Sequence, residues 1–275
     1  MTRRPTVPLL VALACLLALA LTGVLALASP GVHERDAAML HGFVALDRPR
    51  VHGAVDVLAR LADPLPYGAV GLALVAVALA RRLVWRAGAV VALLAVTGAS
   101  TQIVKHVVAQ PRFEVWLGAD QIGPAAWPSG HSTAAMTLAL CAVLVAPPAL
   151  RVVAALCGGA FAAAVGYAVL VLAWHYPSDV LGGFLMAGTW TALAVAGLRV
   201  VERRPAADPG SRAARRDPAA GIGVAAGAML AAAVVAVAPR DQIALYASER
   251  PTLVVGALVI AALAGALSAG LARAA

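Results

Sequence analysis

Three short segments carry side chains that together suit work on a phosphate-like anion. They are Lys105-His106-Val107-Val108-Ala109-Gln110-Pro111-Arg112, Trp127-Pro128-Ser129-Gly130-His131 and Trp174-His175-Tyr176-Pro177-Ser178-Asp179. His175 and Asp179 are four apart, and Pro177 suits the first turn of a helix, so the two side chains can share one helical face. A carboxylate bonded to one ring nitrogen fixes the tautomer and leaves the other nitrogen free as base or nucleophile. Ser129 and Gly130 stand at the start of an apolar run. Unpaired backbone N–H groups at such a helix start bind anions, and glycine lets an anion approach closely. Lys105 and Arg112 add positive charge, and His131 is a candidate proton donor to a leaving group. A nucleophile, an acid and an oxyanion cradle are the parts that phosphoryl transfer needs.

Taken singly, each residue has a plainer reading. Lys105 and Arg112 can be interfacial side chains reaching toward water. His131 can be an interfacial histidine, and His175 with Asp179 a structural hydrogen bond. Trp116, Trp127, Trp174, Tyr176 and Tyr67 read most simply as an aromatic belt. Chemistry outweighs these readings only if the three segments meet, which depends on the elements that carry them.

Those elements are membrane helices. Hydrophobic residues make up 62% of the chain and charged residues 12%, against about 25% charged in a soluble domain. Eight apolar runs approach the roughly 20 residues a span needs: 8–29, 65–81, 87–104, 132–147, 152–173, 178–200, 221–238 and 252–272. The expected fold is an all-α, polytopic membrane bundle. The first run follows Arg3 and Arg4 and ends Ala26-Leu27-Ala28, which resembles a cleavage site; its length favours a retained helix.

Arginine placement orients the bundle. With the N-terminus inside, 13 Lys/Arg residues fall in inner loops and 8 in outer ones. Both termini are then cytoplasmic, and all three chemical segments meet on the outer face. The basic balance (pI about 10.4) is explained by this topology rather than by nucleic acid. Residues 31–64 are polar and outside. Within them Ala54, Val55, Leu58, Leu61 and Ala62 recur at helical spacing, with Asp56 and Arg60 paired on another face, as in a helix lying on the outer membrane surface. Residues 201–220 read as a basic cytoplasmic linker. Cys15, Cys141 and Cys157 lie inside apolar runs without metal-ligand spacing and read as core residues.

The motifs resemble those of the type 2 phosphatidic acid phosphatase (PAP2) family, which includes bacterial undecaprenyl pyrophosphate phosphatases. That family carries Lys-x6-Arg-Pro, Pro-Ser-Gly-His and Ser-Arg-x5-His-x3-Asp. Lys105 and Arg112 match the first, Pro128 to His131 the second, and His175 and Asp179 the third. The resemblance implies a six-helix core over residues 1–200, with residues 221–275 supplying two additional spans of no assigned role. It implies that His175 attacks phosphorus, Asp179 orients it, and His131 protonates the leaving oxygen. Lys105, Arg112, Ser129 and Gly130 would hold the phosphoryl oxygens, with no metal or other cofactor.

Two positions depart from the pattern. Phe113 replaces the proline of the first motif, and Ala168-Val169 replace Ser-Arg of the third. Losing one charge-assisted contact to a developing phosphoryl charge costs about 3–4 kcal/mol. The expected function is therefore a lipid phosphate or pyrophosphate phosphatase at the outer leaflet of a plasma membrane. The alternative is an impaired relative that binds or moves phospholipid or polyprenyl phosphate. A coupled transporter would need more intramembrane charge than the spans contain.

Overall fold

The computed structural model of the chain describes residues 5–202, 246 and 248–274. Within these residues the chain forms nine α-helices and two short 3-10 turns, and no strand. The helices are α1 (Thr6–Ala28), α2 (Pro30–Val44), α3 (Pro49–Arg60), α4 (Pro64–Ala80), α5 (Val84–Val107), α6 (Gly130–Val145), α7 (Arg151–Val171), α8 (Pro177–Val201) and α9 (Pro251–Ala274). Five of these stretches are long and apolar enough to cross a membrane. The pair α3 and α4, bent by 53°, makes a sixth candidate.

Proline starts explain several boundaries. Pro30, Pro49, Pro64, Pro177 and Pro251 each open a helix, where the missing N–H costs nothing and the fixed φ favours the first turn. The other ends are as local. α4 closes with Arg82 in the left-handed region, Leu83 N–H reaching Ala78 O and Arg82 N–H reaching Leu79 O. This Schellman pattern satisfies carbonyls that the helix leaves unpaired.

α6 is the axis of the bundle. It is apolar all round, and twelve of its sixteen residues are buried. Helices α4, α5, α7 and α8 pack around it, and α1 lies along α8. Because lipid tails are as apolar as leucine, close backbone approach rather than water exclusion holds such helices together. Gly183 on α8 shows this. A Cβ there would lie 2.7 Å from Ser129 O and 2.9 Å from Thr133 N, so α8 touches the backbone at the start of α6. Next to it, a Cβ on Gly182 would meet the Trp127 indole nitrogen at 2.8 Å.

The polar stretch 31–64 holds two helices where the sequence pattern indicated one. α3 is the amphipathic one, with Ala59 buried. α2 has a buried face of Asp36, Ala37, Leu40 and Phe43. The span expected at 221–238 and the linker 201–220 lie outside the described residues, apart from the linker's first two. The last span is α9. It packs on α7, α2 and α6; Ile260 is fully buried, and Tyr167 donates to Ala257 O at 2.6 Å.

Candidate active site

The end of α7 places His175. Ala173 takes φ +55, Trp174 N–H reaches Val169 O at 2.9 Å, and Ala173 N–H reaches Leu170 O at 3.0 Å. This second Schellman turn reverses the chain and hands it to α8, which starts at Pro177. Asp179 sits in the first turn of α8, where its Oδ2 accepts the Tyr176 N–H at 2.9 Å. A carboxylate there also meets the positive end of the helix.

His175 and Asp179 are both buried. Oδ2 of Asp179 stands 3.4 Å from Nδ1 of His175. That is an ion-pair distance rather than a well-formed hydrogen bond, and empty active sites often show such loose contacts. Burial pushes the His175 imidazole below the usual histidine range, against the pull of Asp179. That favours the neutral ring.

Arg112 lies behind this pair. Its Nη2 donates to Asp179 Oδ1 at 2.5 Å, its Nη1 is 3.5 Å from Asp36 Oδ2, and its guanidinium stacks on the Tyr176 ring at 4.0 Å. Asp36 in turn accepts the Ser178 N–H at 2.9 Å and the Ser178 hydroxyl. Two carboxylates thus enclose one guanidinium. Burial, with the neighbouring Asp179 charge, pushes the Asp36 carboxyl up to about 6.

A cavity of about 430 Å³ opens between α4, α5 and the start of α6. Its lining includes His175, His131, Lys105, Gly130, Asp63, Tyr67, Thr97, Thr101 and Gln102. The two imidazoles face each other with ring centroids 6.2 Å apart. Nε2 of His131 is 3.0 Å from Asp63 Oδ1, and a carboxylate only accepts, so this nitrogen carries the proton. A Cβ on Gly130 would lie 3.9 Å from Lys105 Nζ, so the ammonium stands beside the N-terminus of α6.

The structure brings all seven residues singled out from the sequence to one end of the bundle, but at different depths. His175, His131, Lys105 and Gly130 reach the cavity wall. Asp179 stands behind His175. Ser129 is fully buried as the N-cap of α6; its hydroxyl accepts from Ser132 N at 3.3 Å, and it does not line the cavity. Arg112 is likewise absent from the wall, being held by its two carboxylates. Val169, where the third motif has arginine, is fully buried in the core.

Two acids at the site, Asp36 and Asp63, escaped the sequence reading. Asp63 carried a usable signal, an acid immediately before the Pro64 that opens a span. Asp36 lies four and seven residues before Leu40 and Phe43, so it shares the apolar face of α2. An acid on such a face needs a buried partner.

Residues 83–202 match the sequence profile of the PAP2 superfamily. No curated protein matches the chain. Among solved structures, the fold is similar to the crystal structure of a transmembrane PAP2-type phosphatidylglycerolphosphate phosphatase from Bacillus subtilis. The TM-score is 0.56 at 18% identity, covering 70% of this chain and 98% of that one. The chain is a multi-pass membrane protein whose residues 83–202 match the PAP2 superfamily.

Proposed function

We propose that the protein is a lipid phosphate phosphatase that works through a phosphohistidine at the outer leaflet of a plasma membrane, with both termini cytoplasmic. The observation that carries this reading is the pair of imidazoles that line one cavity with ring centroids 6.2 Å apart, with Asp179 behind His175 and Lys105 beside Gly130. Arginine distribution supports the outward orientation.

In the first step the Nε2 lone pair of His175 forms a bond to phosphorus. The ester P–O bond breaks, its electron pair goes to the leaving oxygen, and His131 supplies the proton. In the second step water attacks phosphorus and gives a proton to His131. The N–P bond breaks with its pair returning to His175, and phosphate leaves. Asp179 stabilises the positive charge that His175 gains, and Lys105 with the backbone N–H groups of Gly130 and His131 offsets the charge on the phosphoryl oxygens. Ser129 acts by capping α6, and Arg112 by fixing Asp179.

The test is phosphate release from phosphatidic acid and undecaprenyl pyrophosphate by detergent-purified protein with EDTA present, beside His175→Ala. Release by the parent and loss of at least 10³-fold in the variant is expected for removal of a nucleophile. Equal release by both proteins would sink the reading. The buried Val169 favours one second reading, a member that binds or moves phospholipid without hydrolysis. Tight binding of those lipids without release would support it.

A further inference from the structure

We infer that Asp63 makes this site selective for phosphate monoesters over diphosphates, by placing a carboxylate where the leaving group must sit. The inference rests on the phosphatase reading above and names the substrate class for that site.

The first observation is position. The leaving oxygen takes its proton from the His131 ring, and Nε2 of that ring is held by Asp63 Oδ1 at 3.0 Å. An oxygen that collects it comes up beside the carboxylate. Arg60, on the same segment, acts on Asp63 only through its field, because its guanidinium is hydrogen-bonded to Asp56 at 2.7 Å and lies over the Trp174 ring at 5.9 Å. The Asp63 side chain is 36% exposed and lines the cavity.

The second observation is the supply of positive charge. Arg112 is enclosed by Asp36 and Asp179, and position 169 is valine. Among the described cavity-lining residues, Lys105 is the one lysine or arginine. A single ammonium and a helix start are adequate for one phosphoryl group. A diphosphate brings a second phosphate on the leaving side, next to Asp63, with no second lysine or arginine among the described cavity-lining residues to meet it.

The two substrate classes therefore differ at the breaking bond. When a monoester reacts, the P–O pair passes to an alkoxide-like oxygen that takes the His131 proton and leaves as a neutral alcohol. That hydroxyl can donate to Asp63. When a diphosphate reacts, the same pair passes to an oxygen of a phosphate monoester dianion. Its remaining oxygens only accept, and they face a carboxylate that only accepts. Like charges brought together here act as an exclusion device against the wrong substrate.

The experiment uses two lipids with one chain, farnesyl phosphate and farnesyl diphosphate, and the full-length protein in detergent. The parent is expected to favour the monophosphate by at least tenfold in kcat/KM. Asp63→Asn should narrow that ratio by on the order of tenfold, through a gain on the diphosphate, while Asp63→Glu keeps the parent ratio. A ratio that Asp63→Asn leaves unchanged, or a loss shared equally by both lipids, overturns the inference. Equilibrium binding to His175→Ala protein, with and without Asp63→Asn, reads the same preference without turnover. Tightening of the diphosphate alone supports selectivity by Asp63, and equal affinities for both lipids in both proteins overturn it. Absence of hydrolysis of either lipid would count against the phosphatase reading, while the binding ratio still decides the role of Asp63.

Discussion

At the scale of single residues, the site is a set of charges whose burial decides their state. Burial favours the neutral form of His175, so its lone pair stays available to lower pH than that of a free histidine. The acid limb of kcat/KM should therefore lie below the range of an ordinary histidine; a pH–rate profile checks this. Asp36 behaves in the opposite sense. Its carboxyl is raised in the folded protein to about 6 from an ordinary 3.8. Between those values the folded state holds a proton that the unfolded chain has released. Asp36 thus favours folding at pH 4, and this contribution is lost as pH rises through about 6, by on the order of 3 kcal/mol. Thermal unfolding of the parent and Asp36→Asn in detergent should show the parent's relative stability rising as pH is lowered from 7 to 5. A constant difference between the two would contradict the assignment.

At the scale of elements, two backbone features hold the site together, and each has a substitution that tests it. Ala173 occupies a left-handed conformation that disfavours any Cβ. Ala173→Gly is expected to raise stability by about 1 kcal/mol, with kcat unchanged because the Schellman turn is kept. Gly183 carries the contact between α8 and the start of α6. Gly183→Ala must push α8 off a backbone that cannot yield, at a cost of about 1–3 kcal/mol. It also separates His175 and Asp179 from Gly130 and His131. A fall in kcat larger than the fall in melting temperature implies is the expected signature.

Element ends were legible from the sequence because they depend on local chemistry. The runs read as 8–29, 65–81, 87–104 and 178–200 are observed as Thr6–Ala28, Pro64–Ala80, Val84–Val107 and Pro177–Val201. α2 was not legible, because Asp36 interrupts its apolar face with an acid whose partners, Ser178 and Arg112, are more than 70 residues away. The depth of Arg112 was hidden for the same reason. Motif spacing places it at the site, but only the fold sets two carboxylates around it.

At the scale of the whole molecule, the bundle is held by packing within lipid. α9 shows what that implies. Ile260 is fully buried, and a Cβ on Gly166 of α7 would lie 3.6 Å from its Cγ2. Lipid solvates an exposed isoleucine as well as the core does, so the transfer part of a truncation cost disappears and the cavity part remains. Ile260→Ala should cost about 2 kcal/mol, less than a typical isoleucine truncation in a water-soluble core. Reversible unfolding in mixed micelles would measure it. α9 also reaches the site's own scaffold: a Cβ on Gly42 of α2 would meet Leu253 at 2.9 Å, and α2 carries Asp36.

The central helix has a length that matters beyond packing. α6 has 16 residues, about 24 Å of rise against a hydrocarbon thickness of about 30 Å. Ringed by other helices, it touches little lipid and can stop short. His131 is its second residue, so the reacting phosphate has to meet the protein at a depth that the helix dictates and the bilayer does not. Membrane thickness then acts as a tuning variable. A host bilayer that is too thick lifts the headgroup plane away from His131, and a thin one brings it down. The same protein reconstituted into phosphatidylcholines of increasing acyl length should pass through a maximum in turnover, although no residue of the site has changed.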